Sequence, residues 1–157
     1  MPRIRTDNHR RKGAKTQGRN GVVAVSGRSH PLARAAVTRA VEAVLRGEKR
    51  TALVSISFVG RERMRSLNAR WKGRNEPTDV LAFALTGPDG ARTGDIYICP
   101  WVAAREARAR GLPLRQELKR LVVHGVLHLL GHDHPEGPHR TRSPMWRRQE
   151  RYLRRIR

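Results

Sequence analysis

Apolar residues recur along this chain with two different periods, and the points where the period changes divide it into elements. From Thr51 to Val59, Val54, Ile56 and Phe58 alternate with Ser55 and Ser57, the period of a strand with one face buried. Leu32, Ala36, Val37, Ala40, Val41, Val44 and Leu45 recur instead at helical spacing. They predict a helix opened by Ser29, His30 and Pro31 and stopped at Gly47. A short strand is expected at Val22 to Val25, and a short helix held down by Met64 and Leu67 over residues 61–68. Trp71 to Phe83 reads as a loop punctuated by glycine and proline, running into an apolar strand from Val80 to Leu85. Gly87-Pro88-Asp89-Gly90 is a turn signal, so the strand from Thr93 to Cys99 should pair antiparallel with its predecessor. Helices follow from Pro100 to Gly111, from Leu114 to Leu130 and from Met145 to Ile156. The middle one is apolar over most of its circumference from Leu121 onward, with Gln116 to Arg120 as wetter first turns. The pattern predicts an α/β (α+β) fold: a small mixed sheet of about four strands flanked by helices, with a central buried helix.

Composition narrows this further. Residues 21–157 read as a single domain, large enough to bury a core without staples. Residues 1–20 are basic, polar and nearly free of large apolar groups, so they read as a disordered tail without the apolar core of a signal peptide. No stretch is apolar and long enough to span a membrane, and the single Cys99 excludes an internal disulfide framework. A cytoplasmic protein is expected. Thirty-four basic residues against thirteen acidic ones give a net charge of +21, a field that favours a polyanion such as RNA. Aromatics are only 4% of the chain, so backbone recognition is expected rather than an extended stacking platform.

The candidate chemistry lies in the segment from His124 to His134. His124 and His128 stand one helical turn apart, so their imidazoles share a face and can converge on one ion. Gly131 supplies the stop, since glycine accepts the left-handed conformation that closes helices, and the chain can then return a third ligand. If the helix ran on, His132 would continue the series; the stop at Gly131 favours His134, with His139 a loop residue. Three protein ligands leave one position of a tetrahedral Zn2+ ion open, the arrangement of catalytic sites. The pair resembles the zinc-protease helix, but Gly125 stands where those enzymes carry their glutamate base. A mid-helix glycine also signals close approach to the backbone, either by substrate or by a neighbouring strand.

The segment His124 to His134, together with Leu67 to Phe83 and Gly94-Asp95-Ile96, resembles the YbeY family of bacterial endoribonucleases, in matching order over roughly residues 22–157. The resemblance implies a mixed sheet flanked by helices, one zinc ion on His124, His128 and His134, and cleavage of single-stranded RNA. It also implies roles in 16S rRNA 3′ end maturation and ribosome quality control, with the small ribosomal subunit as partner. Two positions depart from the family pattern. The family's Tyr-Arg-Gly is Trp71-Lys72-Gly73 here, so the charge-stabilising role falls on Lys72 without the bidentate fork of arginine, and Arg70 and Arg74 are nearby substitutes. His132 stands where the family usually has tyrosine. Other residues carry two readings each. Pro77, Thr78 and Asp79 shape the cleft or form a turn; Asp95 accepts from a ligating histidine or caps a turn; Trp71 stacks on a base or covers the core edge. The competing functions are a zinc-stabilised, non-catalytic RNA-binding assembly factor and, against the charge and Gly125, a zinc peptidase.

Overall fold

In the computed structural model, the structure describes residues 16–18, 21–27 and 31–156. Five strands form one sheet: β1 (Thr16–Gly18), β2 (Gly21–Ser26), β3 (Leu53–Phe58), β4 (Val80–Thr86) and β5 (Arg92–Ile98), in the order β1-β2-β3-β5-β4. The inner strands β2, β3 and β5 are parallel, and β1 and β4 are antiparallel additions at the two edges. The β4–β5 hairpin is the one announced by the Gly87–Gly90 turn. Strand β1 is additional to the expected elements and falls at the end of the basic stretch; residues 1–15 and 19–20 lie outside the described residues, as do Ser29 and His30.

The period of two along the strands assigns each sheet face. Ile96 and Ile98 of β5 enter the main core with Val54, Ile56, α1 (Arg34–Gly47) and α4 (Leu114–Leu129). Tyr97, Leu81 and Phe83 turn to the other face, where Met64 and Leu67 of α2 (Arg61–Lys72) and Cys99 meet them. Helix α4 lies close against the sheet because glycines face it from both sides. A Cβ on Gly125 would come within 2.9 Å of Ile96 Cγ2, and one on Gly94 within 2.5 Å of the Leu129 methyls. The visitor at Gly125 is therefore β5. Helix α3 (Pro100–Ala109) packs Ala103 into the same core, and α5 (Pro144–Arg155) docks through Met145, Gln149 and Tyr152 while Arg147, Arg151, Arg154 and Arg155 face outward.

Two expectations are corrected. Helix α2 runs to Lys72 rather than ending near Asn68, so Trp71 and Lys72 are helical; the stop is Gly73, left-handed at φ 67°. The first turns of α4 are not wet throughout: Glu117 and Arg120 are buried, because Arg120 donates Nε and Nη2 to the two carboxylate oxygens of Glu117 at 3.0 and 2.6 Å. Arg110 adds a third contact to Glu117 at 2.7 Å. Burial alone would raise the Glu117 carboxyl, but hydrogen bonding and charge from Arg120, with Arg110 behind them, hold it below its ordinary range.

Candidate metal centre

Helix α4 carries His124 and His128 on one face and ends as the sequence predicts. Leu130 closes it, Gly131 is left-handed at φ 94°, and the N–H groups of Gly131 and His132 donate back to the carbonyls of His128 and Leu127 at 3.0 and 3.1 Å. This is a Schellman turn, and it reverses the chain. Asp133 then accepts the His134 N–H at 2.8 Å, fixing the segment that returns His134 to the cluster. The ligand-capable atoms of His124, His128 and His134 all lie within 4.8 Å of one another.

The hydrogen bonds of the three rings decide what can occupy the space between them. His124 Nδ1 faces Gln149 Oε1 at 2.8 Å, and His134 Nδ1 faces the Pro135 carbonyl at 3.0 Å. Both acceptors require the proton on Nδ1. A neutral imidazole has one N–H, so His124 and His134 spend their protons outward and present Nε2 lone pairs inward. The Nε2 atoms sit 3.0 Å apart for His124 and His128 and 3.3 Å apart for His124 and His134. Lone pairs facing at such distances repel unless a cation or a ring proton lies between them. Nitrogens on a tetrahedral zinc with bonds of about 2.05 Å are about 3.3 Å apart. The donor set thus fits a metal ion in chemistry and in spacing.

Protonation of His124 and His128 does not compete at neutral pH. Burial, together with the charges of His128, Arg120 and His134 and against the Gln149 hydrogen bond, takes His124 down to about 3, and burial also lowers His128. Neutral imidazole is the form that a metal requires.

His132 is turned away from the cluster. Its Nε2 meets Glu48 Oε2 at 2.8 Å, and the other Glu48 oxygen accepts from Arg148 at 3.1 Å and Tyr152 at 2.6 Å. Glu48 therefore ties the end of α1 to α5 and to the turn between the second and third histidines. His139 lies exposed in a 3-10 turn, Pro138–Arg142.

The histidines open into a cleft of about 540 Å³ whose walls include Lys72, Thr78, Asp79, Arg120, Asp133 and Arg140. Lys72 reaches it from the end of α2, and its charge is felt at His128. Thr78 and Asp79 wall the cleft, and Asp79 also holds the chain where it enters β4. Asp79 Oδ1 accepts from the Val80 N–H at 2.8 Å and from Thr78 Oγ1 at 3.3 Å, and Oδ2 lies 3.7 Å from Arg120, while both residues wall the cleft. Asp95 has neither role at the histidines: it is exposed on β5, and the acceptor for His124 is Gln149. Gln149 and Arg120 were not singled out by sequence reasoning. The signal for Gln149 was available: it is the polar member of the Met145, Gln149, Tyr152 stripe on an otherwise arginine-rich helix.

The comparisons agree with the geometry. The family model Endoribonuclease YbeY matches residues 26–157. The chain is similar to the Endoribonuclease YbeY of Salinispora tropica, 43% identical over 104 residues that cover 57% of this chain and 66% of the relative. It is similar to that of an Anaeromyxobacter species at 41% over 111 residues, 67% of this chain and 58% of the relative. The matched stretches thus span less than two thirds of these relatives' own lengths. The solution structure of TM1509 from Thermotoga maritima has a TM-score of 0.61 at 28% identity, covering 85% of this chain and 88% of that one. A three-histidine cluster able to hold a metal ion, on a mixed sheet with that neighbour and with a family match across residues 26–157, places this chain in the YbeY family.

Proposed function

We propose that this chain is a zinc-dependent endoribonuclease that cleaves single-stranded RNA, acting in the cytoplasm on 16S rRNA 3′ ends and in ribosome quality control at the small subunit. The observation that carries the reading is the convergence of three imidazole Nε2 atoms at 3.0 and 3.3 Å inside a cleft that Lys72, Arg120 and Arg140 wall together with Asp79, Asp133 and Glu136. Family membership and the net charge of +21 support RNA as the substrate.

His124, His128 and His134 hold the ion. When bound, zinc supplies Lewis-acid chemistry: it lowers the pKa of water to about 7 and polarises a phosphoryl oxygen. Gln149 and the Pro135 carbonyl keep the His124 and His134 rings in the tautomer that leaves Nε2 free. Lys72 attracts and orients the phosphodiester and stabilises the charge that develops on it. Arg120, held by Glu117, contributes fixed positive charge to the cleft wall. A peptidase reading is disfavoured because position 125 packs against Ile96, leaving no room for the glutamate base of zinc proteases.

The test is cleavage of a single-stranded RNA spanning a 16S 3′ end by the parent protein beside His128→Ala prepared identically. Cleavage by the parent alone is expected. Equal cleavage by both, or by neither, with ribosomes as well as naked RNA, would favour the non-catalytic assembly factor.

A further inference from the structure

Trp71 is a large aromatic side chain left 57% exposed, one residue before Lys72 of the cleft wall, and its surroundings suit a nucleobase. It is the penultimate residue of α2, adjacent in the chain to Lys72 on the cleft wall. Phe83 of β4 supports the ring at a centroid distance of 5.5 Å and an angle of 56°, and Phe83 in turn meets Tyr97 edge-on at 6.0 Å. The indole is thereby held in place before any ligand arrives. The Arg70 guanidinium lies over one face of the ring, 5.3 Å from its centroid, which leaves the other face for a base, and Arg74, 3.9 Å from Glu136, follows on the far side of Lys72. An aromatic face among cations is how proteins hold single strands, the ring taking a base and the cations the neighbouring phosphates. A tryptophan recruited only to cover the core edge would bury more of itself, whereas here Phe83 already covers that edge.

We propose that Trp71 is a stacking platform for one unpaired base of the RNA strand whose backbone passes Lys72, and that it makes an unstacked base a condition of tight binding. This rests on the ribonuclease reading above. In a duplex both faces of every base are occupied by neighbouring pairs, so the indole has nothing to stack on. Trp71 thus discriminates single strands from paired ones without reading sequence, since every base has a π-face.

The test measures affinity for a short fluorescent single-stranded RNA with the full chain, comparing Trp71→Leu, which keeps an apolar contact for Phe83, with Trp71→Phe, which restores a flat ring. Trp71→Leu is expected to weaken binding about 5- to 140-fold, the ~1–3 kcal/mol of one base–aromatic stack at 1.4 kcal/mol per tenfold. Trp71→Phe should recover most of it. A scan with one abasic ribose per strand should find a position where the missing base weakens binding to the parent but not to Trp71→Leu. A 4-thiouridine at that position should crosslink to Trp71 in the parent, a readout that depends on no variant. Unchanged affinity of folded Trp71→Leu, abasic costs equal in both proteins at every position, or crosslinks only to other residues would overturn the proposal. A parent that binds RNA with these signatures yet never cleaves it defeats the ribonuclease reading and leaves the stacking assignment standing; a parent that cleaves without them does the reverse.

Discussion

Replacing Gln149 with leucine fills most of the same buried space and removes the acceptor for His124 Nδ1–H, which lies 2.8 Å away. The consequence depends on whether metal is bound. Without metal, the ring can move its proton to Nε2, where His128 and His134 offer lone pairs at 3.0 and 3.3 Å. One hydrogen bond replaces another, so the metal-free protein should lose only about 1 kcal/mol or less. With Nε2 committed to a metal, the proton must stay on Nδ1, buried and facing hydrocarbon. An unsatisfied buried donor costs about 1–3 kcal/mol. Metal affinity should therefore fall about 5- to 140-fold at 1.4 kcal/mol per tenfold, a span that includes the 10- to 100-fold typical of losing a ligand's supporting partner. Competition against a fluorescent zinc chelator measures the affinity, and thermal melting of chelator-stripped protein measures the metal-free cost. Unchanged zinc affinity, or a loss wholly explained by destabilised metal-free protein, would refute the claim that Gln149 sets the ring's tautomer.

Other residues make equally concrete demands. Glu48→Gln weakens the tie between α1, α5 and the turn carrying His132, and should lower stability by about 1–3 kcal/mol in urea denaturation; no loss would mean the network is idle. Gly125→Ala sets a helix-propensity gain of ~1 kcal/mol against overpacking of ~1–3 kcal/mol where the new methyl meets Ile96 Cγ2 at 2.9 Å. A net loss is expected, and a rise in melting temperature would contradict the close approach. Because Glu117 is held below its ordinary 4.5, its ionised form stabilises the fold above that pH, and the contribution disappears as pH falls through the lower folded value. Stability curves of the parent and Glu117→Gln should therefore be far apart at neutral pH and converge in acid; a constant gap would show that the carboxylate's charge is not what Arg120 and Arg110 require.

Much of the three-histidine cluster was legible because it is local. The i, i+4 histidines, the stop at Gly131 and the return at His134 lie within a single segment, where helix geometry and glycine's conformational freedom dictate the outcome. The β4–β5 hairpin was legible for the same reason. What escaped the sequence is tertiary. Gln149 is 25 residues from His124, and Glu48 is 84 residues from His132; no spacing rule joins them, and each was found only when α5 and α1 were seen against α4. Arg120 and Glu117 were misread as a wet turn because charge normally signals solvent, whereas a bidentate pair with Arg110 behind it can be buried. The length of α2 was underestimated because Trp71 and Lys72 read with the glycine- and proline-punctuated loop that follows them. Within the helix, Asn68 uses its amide to hold the Glu76 carbonyl at 2.8 Å.

The most direct test of the central claim is metal content per chain, measured with cleavage on the same samples, for the parent, His134→Ala and His132→Ala. One ion per chain is expected in the parent and in His132→Ala, with RNA cleavage retained, and loss of both ion and cleavage in His134→Ala. Retention of metal and activity by His134→Ala, or their loss in a folded His132→Ala, would contradict the three-histidine centre.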